Sequence, residues 1–446
     1  MVLLSGATVE LPAQDLRDAV AIEREVARIS RSRRLWPGFE PLSIPLAIYT
    51  GGQTFLFRHP RPPEGFTRVA ASEVPVFVMG GRHPAVTSNS SADIGGVSTG
   101  TLLADGGRAS ITLTVLAAVA LHEAFHVFQR RHHPGWGSNE GDLFRYPTGD
   151  ADLLALRRLE SEALSRSLRA RKTPQAACWA REAIGVRRRR FAALDSAFSG
   201  YEQGNELNEG LASYIQLLAE GRTTVEFPPN EFPAIAVRDR IYTVGPALAF
   251  TLDRLAPGWQ DTLEQNDRQP IDLLLERALA RIDSPPPGSC GFTAEDRSAI
   301  ERAARADAAA VAANRVERRR AFDARSGWRV VVHAADGRPL WPKGFDPLNV
   351  ETVEGGVLHR RFLELSNDSG DLRIIDESGA DPESFTVAAG AHPLFNGVKL
   401  AAVAGLPRPD ITEETGRVQV RGPGIQAAFS NATVAVEGTI IRIQLR

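Results

Sequence analysis

Two histidines four residues apart, with a glutamate directly after the first, form the most specific chemical pattern in this sequence, His122-Glu-Ala-Phe-His126. On a helix, positions four apart lie on one face, so both imidazoles can reach a single cation while Glu123 stands beside them. Two neutral imidazoles hold Zn²⁺, and the adjacent carboxylate can take a proton from the metal-bound water, whose pKa the ion lowers toward about 7. The alternative is a helix with two core-facing histidines bonded to backbone carbonyls.

A catalytic zinc site has at least a third protein ligand and leaves its fourth position for water. The best candidate lies in the segment Asn208-Glu-Gly-Leu-Ala-Ser-Tyr214. This segment resembles the NEGFAxY motif in which the M1-type gluzincin metallopeptidases carry their zinc-binding glutamate. The resemblance implies Glu209 as the third ligand beside the two histidines, Glu123 as the general base, and a zincin-like fold.

The resemblance is local and covers about a dozen residues in two blocks. The chain places 82 residues between His126 and Glu209, far more than the M1 pattern, so a helical excursion must be inserted; the helices predicted within residues 152–198 have the right size. Because no GxMEN-like segment occurs, the resemblance implies the gluzincin superfamily and no aminopeptidase specificity. The small residues Gly210 and Ala212 would let a helix carrying Glu209 lie close against the first helix.

Peptide hydrolysis also needs a hydrogen-bond donor for the oxyanion that forms when water attacks the carbonyl. Gluzincins often supply a tyrosine or histidine from a helix downstream of the third ligand. Tyr242 lies at the start of a helix predicted at residues 241–255 and is the main candidate, with Tyr201 and Tyr214 as alternatives. The alternative for Tyr242 is a packed ring with its hydroxyl at the surface.

Further polar residues lie near the two motifs. Glu206 is one turn before Glu209 on the same helix face, and is either the ligand itself or a contact to a ligand or to a substrate amine. Gln129 follows His126 by three residues and either orients a ligand, meets substrate or lies at the surface. Four other candidates are expected at solvated positions, on a helix face or in a loop: Glu160, Glu162, His132 and His133.

The elements that must position these residues change in character along the chain. An amphipathic pattern predicts a helix at residues 15–33. Short apolar runs between Gly and Pro predict a small sheet at residues 45–110, and Ala-, Leu-, Arg- and Glu-rich patterns predict a helical body at residues 111–325. We therefore expect an α+β fold, with a mainly helical zincin-like domain, residues 1–325, and a C-terminal β-sandwich-like domain, residues 327–446.

Charge and cysteine content exclude two other classes of protein and site. Lys and Arg (52) nearly balance Asp and Glu (54), so there is no basic excess for a dedicated nucleic-acid binder. The arginine runs 187–190 and 318–320 are expected on solvated helix faces or in interdomain ion pairs. Cys178 and Cys290 lack CxxC spacing, which excludes a thiolate zinc site; two unpaired thiols are the simpler interpretation, and one disulfide between them stays open.

Targeting signals are weak. The longest apolar stretch, residues 111–121, is about half of the roughly 20 residues that a membrane span needs. The N-terminus has no positive n-region and only a short apolar run, so no signal peptide is recognised. The expectation is a soluble chain without a membrane span, cytoplasmic by default and exported if a leader has been removed. Its oligomeric state stays open.

These observations together predict a zinc metallopeptidase. Zn²⁺ would be held by His122, His126 and Glu209, and the substrate would be a peptide or protein, with no nucleic-acid partner. Glu123 would act as general base and Tyr242 would steady the oxyanion. The alternatives are a catalytically silent zinc-binding scaffold and a partner-binding protein without a metal.

Overall fold

The computed structural model describes residues 13–70, 72–104, 111–228, 232–266, 268–283, 290–346, 349–375 and 381–446. They belong to two compact units, the first made of residues 1–138 and 155–300, the second of residues 139–154 and 301–446. The division near residue 300 falls inside the last helix of the chain, so the domain limits 1–325 and 327–446 stay predictions.

The expected α+β class is confirmed, with a sheet near the N-terminus, helices after it and strands at the end. The first sheet has the strand order β3-β4-β2-β1-β6-β5. Its neighbours are antiparallel except β1 and β6, which are parallel. The strands are β1 (Leu46–Tyr49), β2 (Gln53–Phe57), β3 (Thr67–Arg68), β4 (Val76–Gly80), β5 (Ser90–Ile94) and β6 (Val97–Leu103).

Ten α-helices are described. They are α1 (Ala13–Ser32), α2 (Leu113–His132), α3 (Ala151–Arg169), α4 (Thr173–Ala193), α5 (Ser196–Asn205), α6 (Leu211–Ala219), α7 (Val237–Leu255), α8 (Trp259–Gln265), α9 (Ile271–Ala280) and α10 (Ala294–Asp323). Within the helical stretch expected at residues 152–198, α4 ends at Ala193 and a new helix, α5, begins, because the Asp195 side chain accepts from the Ala197 amide. A π-helical turn, Glu206–Gly210, joins α5 to α6.

Helix α2 lies in the main core of the first unit. Its start is fixed by Thr112, whose hydroxyl accepts from the Val115 amide, and its last turn carries basic residues that suit the negative end of the helix dipole. It packs against α1, α6 and β6, so most of its residues from Ala117 to Gln129 are buried. The apolar segment before the HExxH pattern therefore serves as a core helix.

Cys178 and Cys290 form a disulfide within the first unit, with their Cα atoms 6.0 Å apart. The simpler interpretation of two unpaired thiols is therefore wrong. Linear spacing gave no reason to pair residues 112 positions apart. The folded chain brings the start of α4 beside the segment that precedes α10.

The second unit contains two mainly antiparallel sheets. Buried side chains from both sheets, such as Val332 and Leu372, form one core. The sheets have the orders β18-β19-β7-β14-β13-β10-β9 and β15-β16-β17-β12-β11-β8. Their strands are β7 (Trp328–His333), β8 (Trp341–Phe345), β9 (Val350–Val353), β10 (Gly356–His359), β11 (Leu363–Asn367), β12 (Gly370–Ile374), β13 (Glu383–Ala388), β14 (Val398–Leu406), β15 (Asp410–Glu414), β16 (Arg417–Gly422), β17 (Ile425–Ser430), β18 (Ala432–Glu437) and β19 (Ile440–Leu445). Among the described residues, no helix combines the length and apolarity needed to cross a membrane.

Candidate metal centre

The two histidines of α2 point their ring nitrogens at each other across one helical turn. The Nε2 atoms of His122 and His126 lie 3.0 Å apart. Both rings are largely buried, as is Glu123. The (i, i+4) spacing alone brings the two rings to one face of the helix, because a helix repeats every 3.6 residues.

Glu209 reaches this pair from the π-helical turn. Its Oε2 atom lies 3.2 Å from Nε2 of His126 and 3.7 Å from Nε2 of His122. The turn itself is held against α7, because Gly210 and Gly245 meet so closely that a Cβ on either would clash with the other's Cα, at 2.8 and 2.4 Å. Gly210 therefore allows the turn to lie close against α7. The sequence had led us to expect that it would allow a close contact with α2.

The three converging atoms fit a tetrahedral zinc ion. Zinc–nitrogen bonds of about 2.0–2.1 Å place neighbouring tetrahedral ligands about 3.3 Å apart. The three separations, 3.0, 3.2 and 3.7 Å, lie on both sides of this value. Two imidazoles and one carboxylate are also the donor set of catalytic zinc sites. Glu123 offers a second acidic group, with a carboxylate oxygen within 4.8 Å of ligand atoms on both histidines.

Gln129 joins the two parts of the centre. Its amide nitrogen donates to the backbone carbonyls of Leu207 and Asn208, each at 2.9 Å, and its Oε1 lies 2.8 Å from Nδ1 of His126. Because the two carbonyls fix which end of the amide is the donor, Oε1 must accept a hydrogen bond from the Nδ1–H group. His126 is then held in the tautomer whose Nε2 lone pair is free for a metal. Gln129 is thus a positioning residue, one of the roles left open by the sequence.

Arg238 and Tyr242 flank the other oxygen of Glu209. An Arg238 nitrogen lies 3.0 Å from Oε1 of Glu209, and its side chain is 36% exposed. Tyr242 hydrogen-bonds with both Glu209 and Arg238. Burial, together with the charge of Glu209, raises the pKa of Tyr242 to about 12, so its hydroxyl keeps its proton at neutral pH. The sequence pointed to Tyr242 but not to Arg238. The two residues lie four positions apart on α7 and therefore share one face of the helix.

The two glutamates of the centre shift in opposite directions. Burial raises the pKa of Glu123 to about 7, against the lowering effect of His126. Burial also disfavours the charged form of Glu209, but the adjacent ring nitrogens of His122 and His126 outweigh it and hold the pKa of Glu209 well below its usual range. One carboxylate therefore stays ionised while the other can take up and release a proton near neutrality.

The histidine rings also differ. Burial lowers the pKa of His122 and is only partly offset by Glu209. For His126 the same burial acts to lower the pKa, but its hydrogen bond to Glu209 and the charges of both glutamates raise it overall. Without a cation, the Glu209 carboxylate is the main group that compensates the buried imidazoles.

Glu206 takes part in a buried ion cluster, where its carboxylate pairs with Arg187. Burial raises the pKa of Glu206 to about 7, although Arg187 opposes the rise. The structure therefore brings Glu206 to a guanidinium and gives no support to its role as a ligand, although it lies one turn from Glu209. The π-helical turn directs the two carboxylates to different surroundings.

The ion cluster contains four carboxylates and three guanidinium groups, supplied by Glu160, Glu202, Glu206, Asp272, Arg187, Arg190 and Arg240. Glu160 lies at its centre, with nitrogens of all three arginines at 2.7 to 2.8 Å. The expectation of solvated positions for Glu160, Arg187 and Arg190 is wrong, because these side chains are at most 2% exposed. The cluster ties α3, α4, α5, α7 and α9 to the turn that carries Glu209.

The remaining candidates lie away from the metal centre. Tyr214 donates its hydroxyl to Asp253 at 3.0 Å. His132 is exposed, as expected, whereas His133 follows the end of α2 but is buried, bonded to Glu264 at 3.0 Å and stacked on Trp136, so its expected exposure to solvent is wrong. Of the other two candidates, Glu162 is partly exposed and pairs with Arg166 at 2.6 Å, and Tyr201 is buried.

Comparisons of this chain with protein-family models, with curated proteins and with solved structures gave no match.

Proposed function

We propose that this protein is a zinc-dependent hydrolase of peptide bonds, with a zincin-like, gluzincin-type catalytic unit. The observation that carries the proposal is the position of Glu209. Its carboxylate lies within 3.7 Å of both histidine Nε2 atoms, although 82 residues separate it from the HExxH pattern in the sequence. Two histidine nitrogens and a distant carboxylate oxygen that converge on one point form the arrangement that a shared zinc ion requires.

Each residue then has a distinct role. Zinc, when bound by His122, His126 and Glu209, supplies a Lewis acid that polarises a carbonyl and makes water acidic. Glu123 takes the proton of the attacking water on a carboxylate oxygen and passes it to the leaving amine. Tyr242 offers a protonated hydroxyl as hydrogen-bond donor to the oxyanion.

An intact Glu123 favours an enzyme over a silent scaffold. A structural zinc site has four protein ligands and closes its coordination sphere. Here three ligands converge, and a carboxylate whose pKa lies near neutrality stands beside them. A purely structural site has no use for that carboxylate, and its burial costs free energy.

The test uses the purified full-length chain and an unstructured protein, such as casein, as substrate. We expect about one zinc per chain, and hydrolysis that a chelator abolishes and added zinc restores. Glu123→Gln should keep its zinc and lose about 10²–10⁴-fold in rate. Glu209→Ala should lose zinc as well, and Glu295→Gln, on the exposed start of α10, should behave as wild type.

Two results would contradict the proposal. One is the absence of stoichiometric zinc from wild type even after reconstitution. The other is a Glu123→Gln variant that binds zinc and hydrolyses casein at the full rate.

A further inference from the structure

A basic hollow of about 610 Å³ lies at the turn between α3 and α4, in the first unit. Four cationic side chains line it, namely Arg166, Arg169, Arg171 and Lys172, together with Gln175 and Trp179. No carboxylate is among its described lining residues. A group of like charges at an open surface hollow of this kind attracts an anion.

The positive charge of this hollow is only partly neutralised. Arg166 pairs with Glu162 at 2.6 Å and lies over the ring of Trp179, and Arg169 reaches the same Glu162 at 3.5 Å. For Arg171 and Lys172, no acidic partner within 4 Å occurs among the residues that the structure describes. Two cations therefore face solvent uncompensated.

The first turn of α4 adds to the attraction. Lys172 is its N-cap residue and makes no side-chain capping hydrogen bond in the described chain. The helix runs for 21 residues, and Lys172 and Gln175 place its positive dipole end at the edge of the hollow.

A second and larger hollow, of about 1110 Å³, continues from the first and shares Arg169 and Arg171 with it. Its floor is apolar, with Leu168, Leu218 and Phe250, and its wall adds the guanidinium of Arg254.

Two acidic residues, Asp253 and Glu226, also line the larger hollow. Asp253 already accepts hydrogen bonds from Tyr214, Trp259 and Gln260. Basic and apolar surfaces thus lie side by side over the two joined hollows, which we call the basic groove.

We infer that the basic groove binds an acidic peptide segment that also carries an apolar side chain. Carboxylates of the segment would pair with Arg171 and Lys172, and its apolar side chain would cover the partly exposed Leu168 and Leu218. A free phosphate would match convergent donors at one point, whereas the cations here line two joined hollows together with apolar residues. Charge complementarity thus selects an extended acidic peptide.

The groove is a site separate from the metal centre. None of its described lining residues is a proposed ligand. Leu218 follows Glu209 by nine positions, which corresponds to about 13 Å along a helix. Peptide binding to the groove therefore does not depend on zinc or on catalysis.

The experiment measures fluorescence anisotropy of a labelled twelve-residue peptide, rich in Glu with one Phe and one Leu, on the full-length chain. A Glu123→Gln background prevents cleavage of the peptide. We expect saturable binding that weakens with added salt. The double variant Arg171→Glu/Lys172→Glu should weaken binding at least about tenfold, and the neutral variant Arg171→Gln/Lys172→Gln should weaken it less.

The matched control is Arg188→Glu/Arg189→Glu, which makes the same charge change at exposed positions of α4 outside the groove. It should bind the peptide as the parent does, and a peptide with Lys in place of Glu should not bind. Equal weakening by both double variants would overturn the inference, as would tight binding of inorganic phosphate without binding of the peptide. Each variant is checked by its thermal unfolding curve.

Discussion

Replacing Gln129 by leucine tests how the two halves of the metal centre are held together. Gln129 is 1% exposed and makes three hydrogen bonds, two to the carbonyls of Leu207 and Asn208 and one from His126. Leucine keeps most of the volume of the glutamine side chain but cannot make any of its three hydrogen bonds. Each buried polar group left without a partner costs about 1–3 kcal/mol, so we expect the zinc-free protein to lose about 2–4 kcal/mol of unfolding free energy.

Zinc affinity should fall as well, because His126 loses the acceptor that fixes its tautomer. Loss of such an outer hydrogen bond typically lowers metal affinity about 10–100-fold, which corresponds to about 1.4–2.8 kcal/mol. Gln129→Glu keeps an acceptor for Nδ1 of His126 but cannot donate to the two carbonyls. Compared with Gln129→Leu, this variant should therefore lose stability as well but keep much more of the zinc affinity.

The assay combines urea unfolding of the zinc-free protein with competition against a zinc-binding dye. Gln216→Leu on α6 is the control, because the one hydrogen bond described for the Gln216 side chain goes to the side chain of Glu220. A Gln129→Leu variant with zinc affinity within about threefold of wild type would refute the tautomer argument. An unchanged unfolding free energy would refute the role of Gln129 as a link.

Three further predictions concern stability. Arg240→Met leaves the carboxylates of the ion cluster short of a guanidinium and should cost about 3–5 kcal/mol in urea unfolding, whereas Arg188→Met at the surface should cost less than about 0.5 kcal/mol; equal losses would contradict a structural role for the cluster. Burial lowers the pKa of His359 to about 3, so the unfolded chain binds a proton below about pH 6.5 that the folded chain rejects. The unfolding free energy should then fall by about 1.4 kcal/mol per pH unit from about pH 6.5 toward pH 3. In urea unfolding measured at several pH values, His359→Gln should make this fall less steep; an unaltered slope would contradict the role of His359. Cys178→Ala/Cys290→Ala should lower the unfolding free energy by about 2–5 kcal/mol, and no difference between oxidised and reduced wild type would show that the two cysteines are not joined in solution.

Local patterns were enough to predict much of the fold. The helix expected at residues 15–33 is α1, and the small sheet expected at residues 45–110 is formed by β1 to β6. The geometry of His122 and His126 also follows from their spacing, because an (i, i+4) pair on a helix has one arrangement whatever surrounds it. In such cases the information lies within one or two turns of the chain.

The burial of charged side chains could not be predicted in this way. Arg187 and Arg190 lie in a run of four arginines that is typical of a solvated face, and only their acidic partners on other helices make burial possible. The sequence does not show those partners, because a charge is stabilised in a core by whichever groups the fold brings to it.

The sequence by itself determined the two histidines, the neighbouring glutamate and the α+β succession of elements. Only the tertiary structure decided that Glu209 faces the histidines while Glu206, three residues earlier, faces Arg187. It also decided that Gln129 and Arg238 hold the two ends of this arrangement. Spacing along a helix sets the direction of a side chain, but contacts between distant segments set what it meets.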